Sequence, residues 1–486
     1  MESQKVIARG AGSNAASFVI RFGARASFLW VAARLYGAAP YGVFSMASTM
    51  VELAAPLAGL GLRRMIFPWL EQEAEARGAP HVLLDALLLT LLASAIVTLC
   101  VWAGVAALPA GTISAPLRFA LFALAPAVLG QAVADVAFAA TRWTHRMRYE
   151  VLGRGLVEPY ALTAVTLTAW FAGGKAEGLV IAYAAASALV ALFALWSARH
   201  CLGEFALVQW RPHLLRARLR TLLSPSGTDF LVALSQRIDL ALVGFLLGDA
   251  AAGVYNVLRQ LRTPILQVRQ AFDGILTPLT ARTMHADGDV RAGEAMAAAT
   301  RVILTIQLGV VLLMTAAGAP LLALFGPQYP AAWPALVAIV LTEAVNGAFG
   351  VSELILYYRR PALALQVNLV LIAVPAVLIP LVAPRFGLLG AGLTMLLAGI
   401  AAMGLRRFWL ERLGVHRTAM HAAPPIFAAL AGAAAWLALN ALLSGLTQPW
   451  VRLCPPLSAL LVYAALIQAW RKRSPDALSM ASFRVG

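Results

Sequence analysis

Seven arginines lie inside stretches otherwise apolar enough to cross a lipid bilayer: Arg21, Arg25, Arg237, Arg259, Arg262, Arg269 and Arg301. A charged side chain at membrane depth costs roughly 2.5–3.5 kcal/mol on insertion scales, and nothing about spanning a bilayer requires one. Such groups belong where they face a hydrated cavity or pair with one another. A guanidinium presents a planar fork of donors that grips phosphate through two parallel hydrogen bonds. The chemistry these residues suggest is therefore the binding of an anion within the membrane.

Their spacing supports this. On an ideal helix through segment 253–279, Arg259, Arg262, Arg269 and Asp273 share an arc of about 80°, while Leu261, Pro264, Ile265 and Val268 fall elsewhere. Three cations against one carboxylate favour an anion. Arg21 and Arg25 stand four residues apart in the first span, again on one face. Arg237 and Asp239 of the seventh span point to different sides of an ideal helix. Arg301, near the start of its span, reads as interfacial and is set apart. The expected binding residues are Arg21, Arg25, Arg237, Arg259, Arg262 and Arg269. The bland alternatives are snorkelling for Arg21 and static ion pairs for Arg259 and Asp273.

Acidic residues form a second set. Ser45, Ser48, Glu52, Gly59 and Arg63 share one face of the second span, Gln131 and Asp135 are one turn apart in the fourth, and Glu343, Asn346, Gly350 and Glu353 share a face of the tenth. Glu52, Asp135, Asp239, Asp273 and Glu343 read either as partners of the arginines or as carriers of a coupling proton or cation. Asp85 and Glu158 read as interfacial.

The elements that must hold these residues follow from composition. The chain has 486 residues, 61% hydrophobic and only 12% charged, which places it among polytopic membrane proteins. Its apolar stretches run about 20 residues, the length of a spanning helix, rather than the short alternating segments of a barrel. The expected fold class is all-α. Fourteen spans are expected near 14–35, 42–62, 82–107, 117–140, 151–171, 179–198, 226–247, 253–279, 297–317, 334–356, 362–383, 388–405, 424–444 and 453–470. With the N-terminus cytoplasmic, Lys and Arg outside the spans divide 26 against 5 in favour of that side, the other 7 of the 38 being embedded. Such a bias sets orientation, and both termini are expected in the cytoplasm. Met1 to Gly12 lack a cleavable signal pattern, so the first span is expected to serve as an uncleaved insertion signal.

A basic connection from Arg199 to Leu223 divides the chain after six spans. Tyr41-Gly42-Val43-Phe44 opens the second span and Ala252-Gly253-Val254-Tyr255 echoes it at the eighth. The expected organisation is an N-terminal lobe over 1–222, a C-terminal lobe over 223–420, and two further spans with a cytoplasmic tail over 421–486. Two parallel six-helix lobes around a central cavity are a recurrent transporter plan.

Other classes are disfavoured. Cys100, Cys201 and Cys454 are scattered and the seven histidines lack metal-ligand spacing, so no metal or other cofactor is expected. No Gly-rich nucleotide loop precedes a Lys and no GxSxG occurs, which argues against ATP driving and against an enzyme. The net charge of +16 reflects loop charges that set topology, and nucleic acid is not an expected partner.

The run from Ala33 to Ser45, with Arg34-Leu35-Tyr36-Gly37 and Tyr41-Gly42-Val43-Phe44, resembles the first periplasmic turn of bacterial polysaccharide-unit (Wzx-like) flippases of the MOP exporter superfamily. Pro56-Leu57-Ala58-Gly59-Leu60-Gly61-Leu62, Arg237-Ile238-Asp239 with Gly244, Gly253-Val254-Tyr255 and Leu324-Phe325-Gly326-Pro327-Gln328-Tyr329 with Ala332 are similar to further stretches of that family. The resemblance implies an inner-membrane protein moving undecaprenyl-diphosphate-linked oligosaccharides to the periplasmic leaflet by alternating access through a cationic cavity. It implies the bilayer, the lipid-linked substrate, and glycan polymerase and export machinery as partners. Arg21 and Arg25 match first-span arginines of the related lipid II flippases; the dense Arg259, Arg262 and Arg269 set departs from the general pattern. Alternatives are a lipid II flippase of the same fold, a drug or cation exporter, which buried arginines disfavour, and a membrane polymerase or ligase acting on the same precursor. A structural partner of an export complex is a further alternative.

Overall fold

Backbone N–H and C=O groups find no water inside a bilayer, so apolar spans must satisfy them internally as helices. The computed structural model describes residues 23–174, 176–204, 212–272, 288–350, 353–414, 423–443 and 454–474, and no strand occurs among them. Among these residues seven helical stretches are long and apolar enough to cross a membrane, eight if the bent pair Ala115–Leu124 with Ala127–Trp143 is one span. Helix dominates the described part of each of the fourteen expected segments. Outward faces are apolar, as contact with lipid tails demands: Leu92, Ile96 and Leu99 along one helix are each more than half exposed. The chain is a multi-pass membrane protein.

The molecule divides into two compact units, Met1–Gly253 and Val254–Gly486. In the first, α1 spans 23–36 and its last residues, Ala32–Tyr36, widen into a π-turn. There follow α2 (Ala38–Ala58), α3 (Leu62–Arg77), α4 (Ala79–Ala107), α5 (Ala115–Leu124) and α6 (Ala127–Trp143). Helix α7 starts as Arg148–Leu152, passes through a π-turn at Gly153–Val157 and continues as Glu158–Phe171. Then come α8 (Ala176–Leu202), α9 (Pro212–Leu247) and the start of α10 (Asp249–Leu261). Leu62, Ile66 and Leu70 of α3 pack with Leu83 of α4, Phe138 of α6, Val190 of α8 and Leu222 of α9 to form this unit's core.

Helix α9 belongs to this unit because it runs closely along α2. Gly244 lies under Met46, Gly61 lies against Pro225, and Ser226 Oγ donates to the Pro56 carbonyl at 3.3 Å. The two echoed segments meet reciprocally at one end. A Cβ on Gly42 would overlap the Asp249 carbonyl, and a Cβ on Gly253 would overlap the Ala38 carbonyl. Ala38 and Asp249 each open their helix four residues before the glycine, so the sequence echo is also an equivalence of position. Only glycine lets two backbones approach this closely. Ser114 Oγ donates to Asp249 Oδ2 at 2.5 Å beside the crossing.

The second unit holds the rest of α10, α11 over 263–272, α12 (Gly288–Ala316), α13 (Gly318–Ala323), α14 (Trp333–Gly350), α15 (Glu353–Arg359), α16 (Pro361–Arg412), α17 (Ala423–Leu442) and α18 (Cys454–Arg473). Two expected spans, 362–383 and 388–405, run together in α16 and are joined at Gly387, whose φ of +57° breaks the helical path. The last two helices pack on α12 through Leu312, Ala428, Ala459 and Tyr463. The Tyr463 hydroxyl donates to the Thr305 carbonyl at 2.5 Å.

The Gly42–Gly253 crossing yields the first prediction. Gly253→Val should lower stability by about 1–3 kcal/mol or more, the usual result of overpacking, read as a lower melting temperature of the detergent-purified protein. Gly104→Ala, where nothing lies within 4 Å of the added carbon, should stay within about 1 kcal/mol of wild type.

Candidate functional site: a charged cavity among apolar helices

The π-turn in α7 inserts an extra residue into the helix, a deformation often found at functional positions. Gly153 begins it and lies so close to the Phe138 ring that a Cβ would overlap it. Arg154, the next residue, reaches α6: Nη2 donates to Asp135 Oδ1 at 2.5 Å, and Nη1 donates to Gln131 Oε1. Glu158 Oε2 stands 3.6 Å from Arg154 Nη1, and Glu158 Oε1 accepts from Gln131 Nε2 at 3.3 Å. Arg154, Gln131 and Glu158 close a ring between α6 and α7, and Asp135 joins it through Arg154. From α2, Glu52 forms an ion pair with Arg237 of α9. The Tyr183 hydroxyl of α8 is buried with no hydrogen-bond partner, within electrostatic reach of Glu52, Glu158, Arg237 and Arg154.

Gln131, Asp135, Arg154, Glu158, Glu52 and Arg237 line a cavity of about 590 Å³ in the first unit. Five arginines line it, Arg25, Arg63, Arg64, Arg154 and Arg237, against five carboxylates, Glu52, Asp135, Glu150, Glu158 and Asp229. The lining is formally balanced, but the pairing is not. Each carboxylate is engaged: Glu52 by Arg237, Asp135 and Glu158 by Arg154, Glu150 by Arg142 at 2.5 Å, and Asp229 by Arg64 at 2.7 Å. Among the described residues Arg25 and Arg63 make no ion pair, and both are exposed. The uncommitted charge of this lining is positive.

In the second unit the segment carrying Arg259, Arg262 and Arg269 is not one ideal helix. It breaks at Arg262, whose carbonyl receives the amides of Ile265 and Leu266. Pro264 supplies the reason, since it lacks an N–H and its ring clashes with the preceding turn. A single 100° progression therefore does not relate Arg259 to Arg269. All three arginines are half-buried, and Arg262 Nη1 lies 3.5 Å from Glu343 Oε2. Glu353, on the same expected face as Glu343, pairs with Arg406 at 2.9 Å. Arg21 and Asp273 lie outside the described residues. Asp239 is almost completely buried on α9.

Several functional candidates escape a reading of the sequence. Arg154 and Arg406 sit at expected span ends and count there as topology-setting cations, and Glu158 reads as interfacial. The available signal was the pair of i, i+4 couples, Gln131 with Asp135 and Arg154 with Glu158, on consecutive helices. Asp85, which also reads as interfacial, is buried and held by Arg77 at 3.0 Å.

The fold is that of polytopic helical transporters. The structure is similar to that of the lipid II flippase MurJ in an inward closed conformation, with a TM-score of 0.71 at 12% identity over 94% of this chain and 99% of that one. It is similar to a multidrug resistance MATE family transporter of the MOP superfamily in an inward-facing conformation, with a TM-score of 0.66 at 13% identity, covering 81% and 94% of the two chains. A MATE structure in complex with MaL6 matches with a TM-score of 0.56 at 14% identity, covering 82% and 93%. These are transporters and a flippase, not enzymes. No curated protein sequence matches the chain. The profile of the family described as polysaccharide biosynthesis protein matches residues 7–284, more than half of the chain. The protein belongs to that family.

Arg154 and Asp135 share one network, so their substitutions should not be additive. A double-mutant cycle of Arg154→Met and Asp135→Leu should give a coupling energy of about 0.5–3 kcal/mol, measured by melting in detergent.

Proposed function

We propose that the protein is a flippase that moves undecaprenyl-diphosphate-linked oligosaccharide units, for O-antigen, capsule or exopolysaccharide, from the cytoplasmic to the periplasmic leaflet of a bacterial inner membrane. The observation that carries this reading is the charge pairing in the first unit's cavity: among the described residues its carboxylates are all committed, while Arg25 and Arg63 make no ion pair. Membership of the polysaccharide biosynthesis family supplies the substrate class. A diphosphate is the group that a set of guanidinium forks recognises best.

In this reading Arg21, Arg25, Arg237, Arg259, Arg262 and Arg269 are the residues that bind the diphosphate or acidic sugars. Glu52 and Glu343 hold Arg237 and Arg262 when no anion is present, and a phosphate oxygen takes the carboxylate's place on arrival. Asp135, Asp239 and Asp273 complete the acidic set. Alternating access exposes the arginines first to the cytoplasmic side and then to the periplasmic side, without ATP. Both termini face the cytoplasm, and glycan polymerase and export machinery act next on the delivered substrate.

A second reading, lipid II transport, draws support from the likeness to a lipid II flippase over 94% of the chain. Rescue of a strain that cannot export peptidoglycan precursor would select it. Under the first reading, Arg237→Ala and Arg262→Ala should each lower surface glycan about ten-fold or more at normal protein level, the effect of losing a charge-assisted hydrogen bond. Their lysine counterparts should retain part of the export, because the charge survives and the fork does not. Normal glycan on both alanine variants would remove these arginines from the site.

A further inference from the structure

A second cavity, of about 660 Å³, opens on the first unit where the turn from α6 to α7 meets the end of α8. His145, Arg146, Met147, Arg148 and His200 line it, with no carboxylate among them. Helix α6 ends here in a Schellman-type turn. The Arg146 amide donates to the Thr141 carbonyl at 3.2 Å, and the His145 amide to the Arg142 carbonyl at 2.9 Å. His145 holds the left-handed position of that turn, φ +59°, where glycine is the easier choice.

The two arginines are not committed to acids. Arg146 Nη1 reaches only the Cys201 thiol, a weak acceptor, at 4.0 Å. Arg148 lies 5.0 Å over the Tyr149 ring and donates to its hydroxyl at 3.2 Å. The nearby carboxylates are taken, Glu150 by Arg142 and Glu204 by Arg199, each at 2.5 Å. Among the described residues neither Arg146 nor Arg148 makes an ion pair. Aromatic packing steadies the rest of the wall. Tyr149 is buried and meets His200 edge-on at 6.2 Å, and Trp196 stacks on His200 at 5.9 Å. Two cations and two imidazoles thus face one cavity, a donor set suited to phosphate oxygens.

The surroundings indicate which phosphate. Helix α8 is long and apolar enough to cross a membrane. Leu189, Leu192, Trp196 and His200 follow at helical spacing along one of its faces. The three apolar members are exposed, Leu192 by 63% and Trp196 by 56%. A lipid-facing stripe therefore leads straight to the cationic cavity, with a tryptophan at the level where acyl chains give way to headgroups. Choline and ethanolamine headgroups bring a cation of their own, which a cavity with no carboxylate repels.

We propose that this cavity binds the phosphodiester headgroup of an anionic phospholipid, with Arg146 and Arg148 on its oxygens and the acyl chains along the α8 stripe. The site shares no residue with those assigned to the transported substrate, and it stands whether or not the flippase reading holds.

The test uses the full-length protein, purified and delipidated, in three forms: wild type, Arg146→Gln with Arg148→Gln, and Arg471→Gln with Arg473→Gln. The last removes the same charge from the exposed end of α18, and all four positions are exposed, so both variants should fold. Retained lipid is counted by native mass spectrometry after exposure to vesicles of phosphatidylcholine alone or mixed with phosphatidylglycerol, and melting is followed with inorganic phosphate. Wild type and the α18 variant should prefer phosphatidylglycerol, and the Arg146→Gln, Arg148→Gln variant should lose that preference about ten-fold or more. Undiminished preference in the cavity variant, or an equal loss in the α18 variant, would overturn the site. Stabilisation of wild type by inorganic phosphate without any preference for phosphatidylglycerol would make the occupant a soluble anion and overturn the lipid assignment.

Discussion

A guanidinium carried into an apolar bundle must be met by a carboxylate, by water or by a bound anion, and that requirement organises this molecule. Among the described residues, interhelical ion pairs answer it, as four examples show. Arg237 of α9 meets Glu52 of α2, and Arg154 of α7 meets Asp135 of α6. Arg262, at the break after α10, meets Glu343 of α14, and Arg406 of α16 meets Glu353 of α15. Packing does not call for such pairs, because well-packed apolar residues of similar volume are often as stable or more so. Their presence points to work done with charge.

Local backbone features bring the charges to their places. The π-turn at Gly153–Val157 positions Arg154 over α6, and Gly153 permits it by yielding space to Phe138. Pro264 interrupts the α10–α11 segment and leaves Arg262 at the corner. Reciprocal glycines, Gly42 and Gly253, let α2 and α10 touch backbone to backbone, while Met46 over Gly244 keeps α9 against α2 and so holds Arg237 within reach of Glu52.

Much of this architecture is legible in hydropathy, because span length is dictated by bilayer thickness. The breaks are less legible. Segment 117–140 divides at Ala125–Pro126, and spans 362–383 and 388–405 merge through Gly387; an apolar tally registers neither event. The embedded arginines stand out as anomalies, but their partners depend on tertiary approach, so the Glu52–Arg237 pair can be suspected and not matched. Ideal-helix geometry placed Arg259 and Arg269 on one stripe and missed the corner between them. Arg154 and Arg406 were hidden because residues at span ends are assigned to loops by default. The cavity of the first unit holds balanced charges with two arginines that make no ion pair among the described residues.

The central claim is that water reaches the charged cavity of the first unit. It is tested most directly by thiol accessibility in a variant from which Cys100, Cys201 and Cys454 have been removed. Val232→Cys, on the cavity wall, and Leu240→Cys, on the same helix but 1% exposed, are reconstituted in liposomes and treated with a water-soluble thiol reagent. The account predicts modification at 232, slowed by added pyrophosphate, and none at 240. Equal inertness at the two positions would mean a dry interior and would contradict it.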